Sequence, residues 1–169
     1  MTREIALLVI VGVAVLLLGL LVWAWRRRAR RDAGLGAPVG ELPAGAVVQA
    51  VFPALYVATT RHGQPLERLA IPRLGFRSRA DVTVTDAGVA LDLTGQPRIF
   101  LSADRIQDVV QATVTIDRVV ERDGLVRLSW RLDETTIVDS YLRPQDASAR
   151  ALADAVAAVL PSNQTGTHA

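Results

Sequence analysis

The sequence predicts an N-terminal transmembrane helix joined to a β-rich α+β domain: an antiparallel bent sheet or partial barrel of about seven strands, capped by a C-terminal helix. Three observations predict it. Residues 5–25 form an uninterrupted apolar run. Residues 47–142 alternate apolar and polar side chains between turn signals. Residues 147–160 change to an alanine-rich helical period that stops at Pro161.

The apolar run holds 21 residues without a charge or a proline, and 14 of them are Ile, Leu or Val. At about 1.5 Å per residue it is roughly 31 Å long, the thickness of a hydrocarbon core. Trp23 and Trp25 fall where an interfacial aromatic belt would sit, and Arg26, Arg27, Arg28, Arg30 and Arg31 follow at once. A cleavable leader would have a basic start, a shorter core and a small-residue cleavage site, so an uncleaved anchor is expected. One arginine precedes the run and five follow it. The positive-inside rule then leaves residues 1–4 outside and puts the remainder in the cytosol, at the inner face of a plasma membrane. Gly12 and Gly19 share a helix face, but no GxxxG is present to mark a helix dimer.

Residues 26–46 are expected to be a basic juxtamembrane segment and a flexible linker, since positions 32–46 hold four glycines, four alanines and two prolines. A coil of that length spans about 20 Å. Residues 47–161 make one domain. Its strands are expected over 47–59 (with a break at Pro53), 79–85, 89–93, 98–102, 112–121, 125–132 and 135–142. Turns fall at Asp86-Ala87-Gly88, Thr94-Gly95-Gln96-Pro97 and Arg122-Asp123-Gly124. Pro144-Gln145-Asp146 offers a helix start, with Leu152, Val156, Val159 and Leu160 on one stripe. Residues 162–169 are polar and read as a disordered tail.

Composition removes whole classes of function. The chain has no cysteine, which excludes disulfides, thiolate metal sites and a cysteine nucleophile. All 19 basic residues are arginine, which excludes a phosphate-loop lysine and a Schiff base. The pI of about 9.9 comes from residues 1–31, which carry six arginines against one acid. Residues 32–169 carry 13 arginines against 16 acids, so nucleic acid is not an expected partner. His62 is the one histidine in the body, and no GxSxG surrounds a serine. Asp104 with Asp108, and Asp133 with Glu134, read as surface turn acids, and Trp130, on an alternating strand, reads as core. No catalytic residue, metal ligand or cofactor is assigned.

Five runs then carry a family resemblance: residues 56–60 (YVATT), 66–69 (LERL), 74–80 (LGFRSRA), 82–89 (VTVTDAGV) and 124–130 (GLVRLSW). They resemble actinobacterial single-pass membrane proteins with a pleckstrin-homology-like (PH-like) domain, the transporter PH-like family. The match covers the anchor and the body to about Pro144. It departs at Asp139-Ser140-Tyr141-Leu142-Arg143, where members usually read Asp-Thr-Gly-Phe-Arg. The resemblance implies a PH-like fold displayed in the cytosol from one helix. It does not imply catalysis or transport, because a single helix encloses no pore.

One charge asymmetry remains. Residues 59–80 carry Arg61, Arg68, Arg73, Arg77 and Arg79 against Glu67 alone, whereas residues 81–161 carry eight arginines against 13 acids. The five arginines form either an anionic head-group site, by analogy with the first loop of PH domains, or a solvated face paired with the acidic remainder. Two functions are therefore expected. The first is a non-enzymatic protein-interaction or scaffold module tethered to the bilayer, with a membrane or cytosolic protein as partner. The alternative is an anionic-lipid sensor.

Overall fold

A computed structural model describes residues 3–32, 34–112 and 124–161. They fall into two compact units that meet in sequence between Gly34 and Leu35.

The first unit is helix α1 (Arg3–Asp32), with a mean hydropathy of 3.3 over its most apolar 18 residues, long and apolar enough to cross a membrane. Its leucines and valines are exposed on every side. A helix that is hydrophobic all round needs an apolar surrounding. The helix continues past residue 25 through the arginines. There the Arg27 guanidinium lies over the Trp23 ring, 5.5 Å from its centroid, a cation–π pair one helical turn apart. Glu4 in the first turn and Arg30 and Arg31 in the last oppose the helix dipole.

The second unit contains β1 (Val48–Arg61), β2 (Gln64–Arg68), β3 (Ser78–Thr85), β4 (Gly88–Leu93), β5 (Ile99–Ser102), β6 (Ile106–Ala112), β7 (Leu125–Arg131), β8 (Ile137–Pro144) and α2 (Ala149–Ala157). The sheet is antiparallel, in the order β5-β4-β3-β1-β8-β7-β6, with β2 on β1. Strand β1 is the seam. Its residues 48–56 pair with β3, residues 54–61 pair with β8, and the register slips at three places along it. Such bulges bend a strand, so one strand serves two halves of a folded-over sheet.

Pro53 does not break β1, contrary to expectation. It pairs in register with Asp81, and its carbonyl accepts from Gln145 N at 2.9 Å. N–H and C=O of one strand residue point the same way, so the missing N–H faces the β8 side. There the pairing of β1 with β8 has just ended at Ala54. A proline costs no ladder bond at such a place.

The interior is filled by Tyr56, Val82, Val84, Leu91, Ile99, Leu101, Leu128, Trp130 and Leu142, and α2 lies over β6 and β7. Ser148 caps α2, its Oγ accepting from Ala151 N at 3.1 Å. Ala149, Leu152, Ala153 and Val156, at helical spacing, are its buried face. The helix therefore starts later than expected, at the residue with a capping side chain. The Asp86-Ala87 turn delivers Gly88 at φ +145°, where a Cβ would sit 2.1 Å from the Leu101 carbonyl oxygen.

Two further differences from expectation have physical causes. Residues 35–40, read as linker, lie along the β5 edge: Val39 bridges Ile99, Gly40 N donates to Arg98 O, and Phe100 N donates to Pro38 O. Pairing that edge satisfies polar backbone groups that would otherwise stand open. Strand β6 begins at Ile106, earlier than the expected 112–121, whose remaining residues lie outside the described ones along with Arg122, Asp123 and the tail 162–169.

Candidate functional site

The five arginines lie in and beside an excursion between β1 and β3. It begins with a hairpin at His62-Gly63, Gly63 taking φ +71°. That turn is fastened from below by Asp139, a buried carboxylate on β8. Asp139 accepts from Gly63 N (3.1 Å) and Ser129 Oγ (2.7 Å) and lies 2.8 Å from His62 Nδ1. The remainder of the excursion drops Leu69, Ile71 and Leu74 into the core.

A chain of buried polar groups holds it there. Trp130 Nε1 donates to Ser140 Oγ at 2.9 Å, Ser140 Oγ is 2.7 Å from Thr59 Oγ1, and Thr59 Oγ1 is 2.8 Å from Tyr56 Oη. Tyr56 Oη in turn donates to the Leu74 carbonyl at 2.8 Å. Indole can only donate and a carbonyl can only accept, so each hydroxyl donates once toward Leu74 and accepts once. Burial pushes the Tyr56 phenol well above its usual range, partly offset by the Thr59 hydrogen bond and the charge of Arg68.

On this base Ile71–Leu74 makes a β-turn, Leu74 N donating to Ile71 O at 3.0 Å. Pro72 takes the second position and Arg73 the third, at φ +74°. That pattern calls for glycine or asparagine, and an arginine there costs about 1–2 kcal/mol. The side chain of Arg73 is exposed. Beyond it Phe76 is 87% exposed, as Leu66 on β2 is 75% exposed.

The arginines themselves divide. Arg61 Nε pairs with Glu67 Oε2 at 3.2 Å, and Arg68 Nη2 donates to the Val57 carbonyl at 3.3 Å. Both serve the excursion itself. Arg73 and Arg77 are exposed on the loop that precedes β3. Arg79 is on β3 beside Asp81 and Asp92. Sequence reading missed the apolar component, Leu66 and Phe76. The signal was present in their setting: large apolar residues within a segment rich in arginine.

The remaining candidates have structural roles. Trp130 is fully buried. Asp133 accepts from Thr135 N and Thr136 N at 2.9 and 2.8 Å, which holds its carboxyl below the ordinary value. Asp104 is also held low, first by the Ser102 hydroxyl, and Asp108 pairs with Arg127 at 3.2 Å. Carboxyls held low stay ionised at neutral pH and are poor general acids. Among the described residues no group of three or more His, Asp or Glu is placed to hold a metal ion.

An open antiparallel sheet folded over one long shared strand, with a helix after the last strand, defines a PH-like domain, here following an apolar helix. A family model described as bacterial PH domain-like matches residues 35–158, and the chain belongs to that family. The match starts where the structure starts to pack, at Leu35. No curated protein matches the chain. Among solved structures, the C-terminal domain of an unknown protein from Leishmania infantum is similar, with a TM-score of 0.44 and 12% identity. That similarity covers 83% of this chain and 99% of that one.

Proposed function

We propose that the chain is a single-pass membrane protein whose PH-like domain lies in the cytosol, at the inner face of the plasma membrane, and binds a protein partner there without catalysing a reaction. One observation carries it: α1 is apolar on every side and has five arginines beyond its apolar run against one before it. The polar clusters of the domain support the non-enzymatic part. The Trp130–Leu74 chain and the Asp139 cluster spend their donors and acceptors on holding the fold. A reporter fused after Ala169 that is active in the cytosol and silent outside is the expected result; activity outside reverses the topology. Photo-crosslinking in native membranes, followed by identification of what is captured, tests for the partner. An amine-reactive reagent would find no lysine side chain on the domain.

A second reading rests on Leu66 and Phe76. Phe76, next to Arg77 in the chain, and Leu66, on β2 of the same excursion, are exposed apolar side chains that suit an anionic bilayer surface, where rings enter the interface and guanidiniums meet phosphates. Binding of residues 35–169 to anionic vesicles, lost on changing Arg73, Arg77 and Arg79 to Ala, supports it. Unchanged binding in that triple variant ends it.

A further inference from the structure

The seam strand β1 is open on one side. Pairing with β8 stops at Ala54, and by the alternation that sends the Pro53 carbonyl toward Gln145, the N–H and C=O of Val51 face the same unpaired side. No backbone group of the described residues meets them there. Val47, Val48 and Val51 are all at least half exposed, and Val51 is at 54%. No charged residue occurs from Leu42 to Thr60. Natural sheet edges are usually guarded by charge, yet this one has only Pro53 at its end.

The open edge runs into a groove of about 490 Å³ that takes in Pro53 and Leu55 on β1, Arg79 and Asp81 on β3, Asp92 on β4 and Asp146 before α2. Pro53 is the cross-strand partner of Asp81, and Asp81 is that of Asp92. Like charges directly opposite each other destabilise a sheet. Arg98 holds Asp92 at 2.7 Å, whereas Asp81 and Asp146 form no ion pair among the described residues.

We propose that this edge and groove receive an extended, basic segment of a partner protein, which adds a strand along residues 48–52 and places an arginine or lysine between Asp81 and Asp146. Added strands are held by main-chain bonds and selected by side-chain pockets. Here the bonds come from Val51, and the pocket sets Asp81, Asp92 and Asp146 against one lining cation, Arg79. The proposal rests on the tethered-module reading, which names the environment: the cytosolic loops of membrane proteins are rich in Lys and Arg. Charge complementarity therefore favours a juxtamembrane or loop segment of a neighbouring membrane protein.

The test uses the full chain in phosphatidylcholine nanodiscs and a labelled peptide of alternating valine and arginine, followed by fluorescence anisotropy. Saturable binding is expected, weakened about ten-fold or more by Asp81→Asn with Asp146→Asn, and by Val51→Pro. Val51→Pro removes an N–H that the β3 ladder does not use; Val51→Lys, which guards the edge with a charge that repels a basic strand, replaces it if that variant melts early. A valine–glutamate peptide is expected not to bind. The proposal is overturned if the arginine peptide fails to bind, or binds all variants equally. It is also overturned if the chain self-associates through this edge, with dimers lost in Val51→Pro. Photo-capture of the same protein from native membranes by wild type and variants alike would sink this site while leaving the module reading intact. Capture of no protein by any of them, with the peptide still bound by wild type alone, would sink the module reading instead.

Discussion

The phenol of Tyr56 gives its one proton to the Leu74 carbonyl at 2.8 Å, and this bond fixes the direction of every hydroxyl proton back to Ser140, whose Oγ accepts from Trp130 Nε1 at 2.9 Å. Ser140→Ala removes the acceptor of Trp130 and the donor to Thr59 together. The expected loss is about 2–4 kcal/mol, since each buried group left unpaired costs roughly 1–3 kcal/mol. Urea denaturation in a Trp23→Phe, Trp25→Phe background, with Trp130 as the probe, measures it. A loss below about 0.5 kcal/mol would show that the groups do not act as a chain.

The same chain makes the fold sensitive to alkali. Tyr56 in the folded domain keeps its proton above pH 10, where an unfolded tyrosine gives it up. The native state then binds more protons than the unfolded state, so its stability, complete below pH 10, falls as pH rises further. The slope reaches about 1.4 kcal/mol per pH unit for one such group. Burial raises Tyr141 as well. Denaturation midpoints measured upward from pH 9 are expected to decline, and Tyr56→Phe to flatten the decline.

Gly88→Ala meets both a backbone angle of +145° and a carbonyl oxygen at 2.1 Å. No side chain can yield to relieve the clash, because the obstacle is the backbone of β5. A loss of about 3 kcal/mol or more is expected, or no folded domain at all, by thermal melting. A change within a few degrees would contradict the close approach of β4 to β5.

At Arg73 the sign is opposite. Arg73→Gly relieves about 1–2 kcal/mol of left-handed strain and returns about 0.5–1 kcal/mol as unfolded-state entropy. The variant is expected to be more stable by about 0.5–1 kcal/mol. If it also loses affinity for anionic vesicles, the strain is retained for what the guanidinium contacts.

Much of the fold was legible because the apolar residues of the alternating runs fill the core, although their neighbours Thr83, Thr85, Ala90 and Ser129 are buried as well. Val82 and Val84 on β3, Leu91 and Leu93 on β4, and Leu128 and Trp130 on β7 are buried as the pattern requires. Strand β2 was not, since Gln64–Arg68 is polar, contains a proline, and is held by the His62-Gly63 turn and not by a pattern of its own. Strand β6 was displaced because it is half-buried on both faces and shows no period. The apparent break at Pro53 dissolved only once the end of the β8 pairing was known. In the candidate site the sequence located the arginines. It could not tell that Arg61 and Arg68 turn to Glu67 and Val57, because that depends on which strand lies beside them.

The seam has a consequence in time. Arg61 pairs with Val138, and Ala54 with Pro144, so the second half of β1 waits for a strand about 80–90 residues downstream. At about 5–20 residues per second, synthesis takes roughly 4–18 s to supply it. Throughout that interval the second half of β1 has only β3 and β2 beside it and stands without its β8 partner. Chains that stop before Ile137 never gain that partner, so truncated chains are expected to expose a strand edge that the finished protein covers.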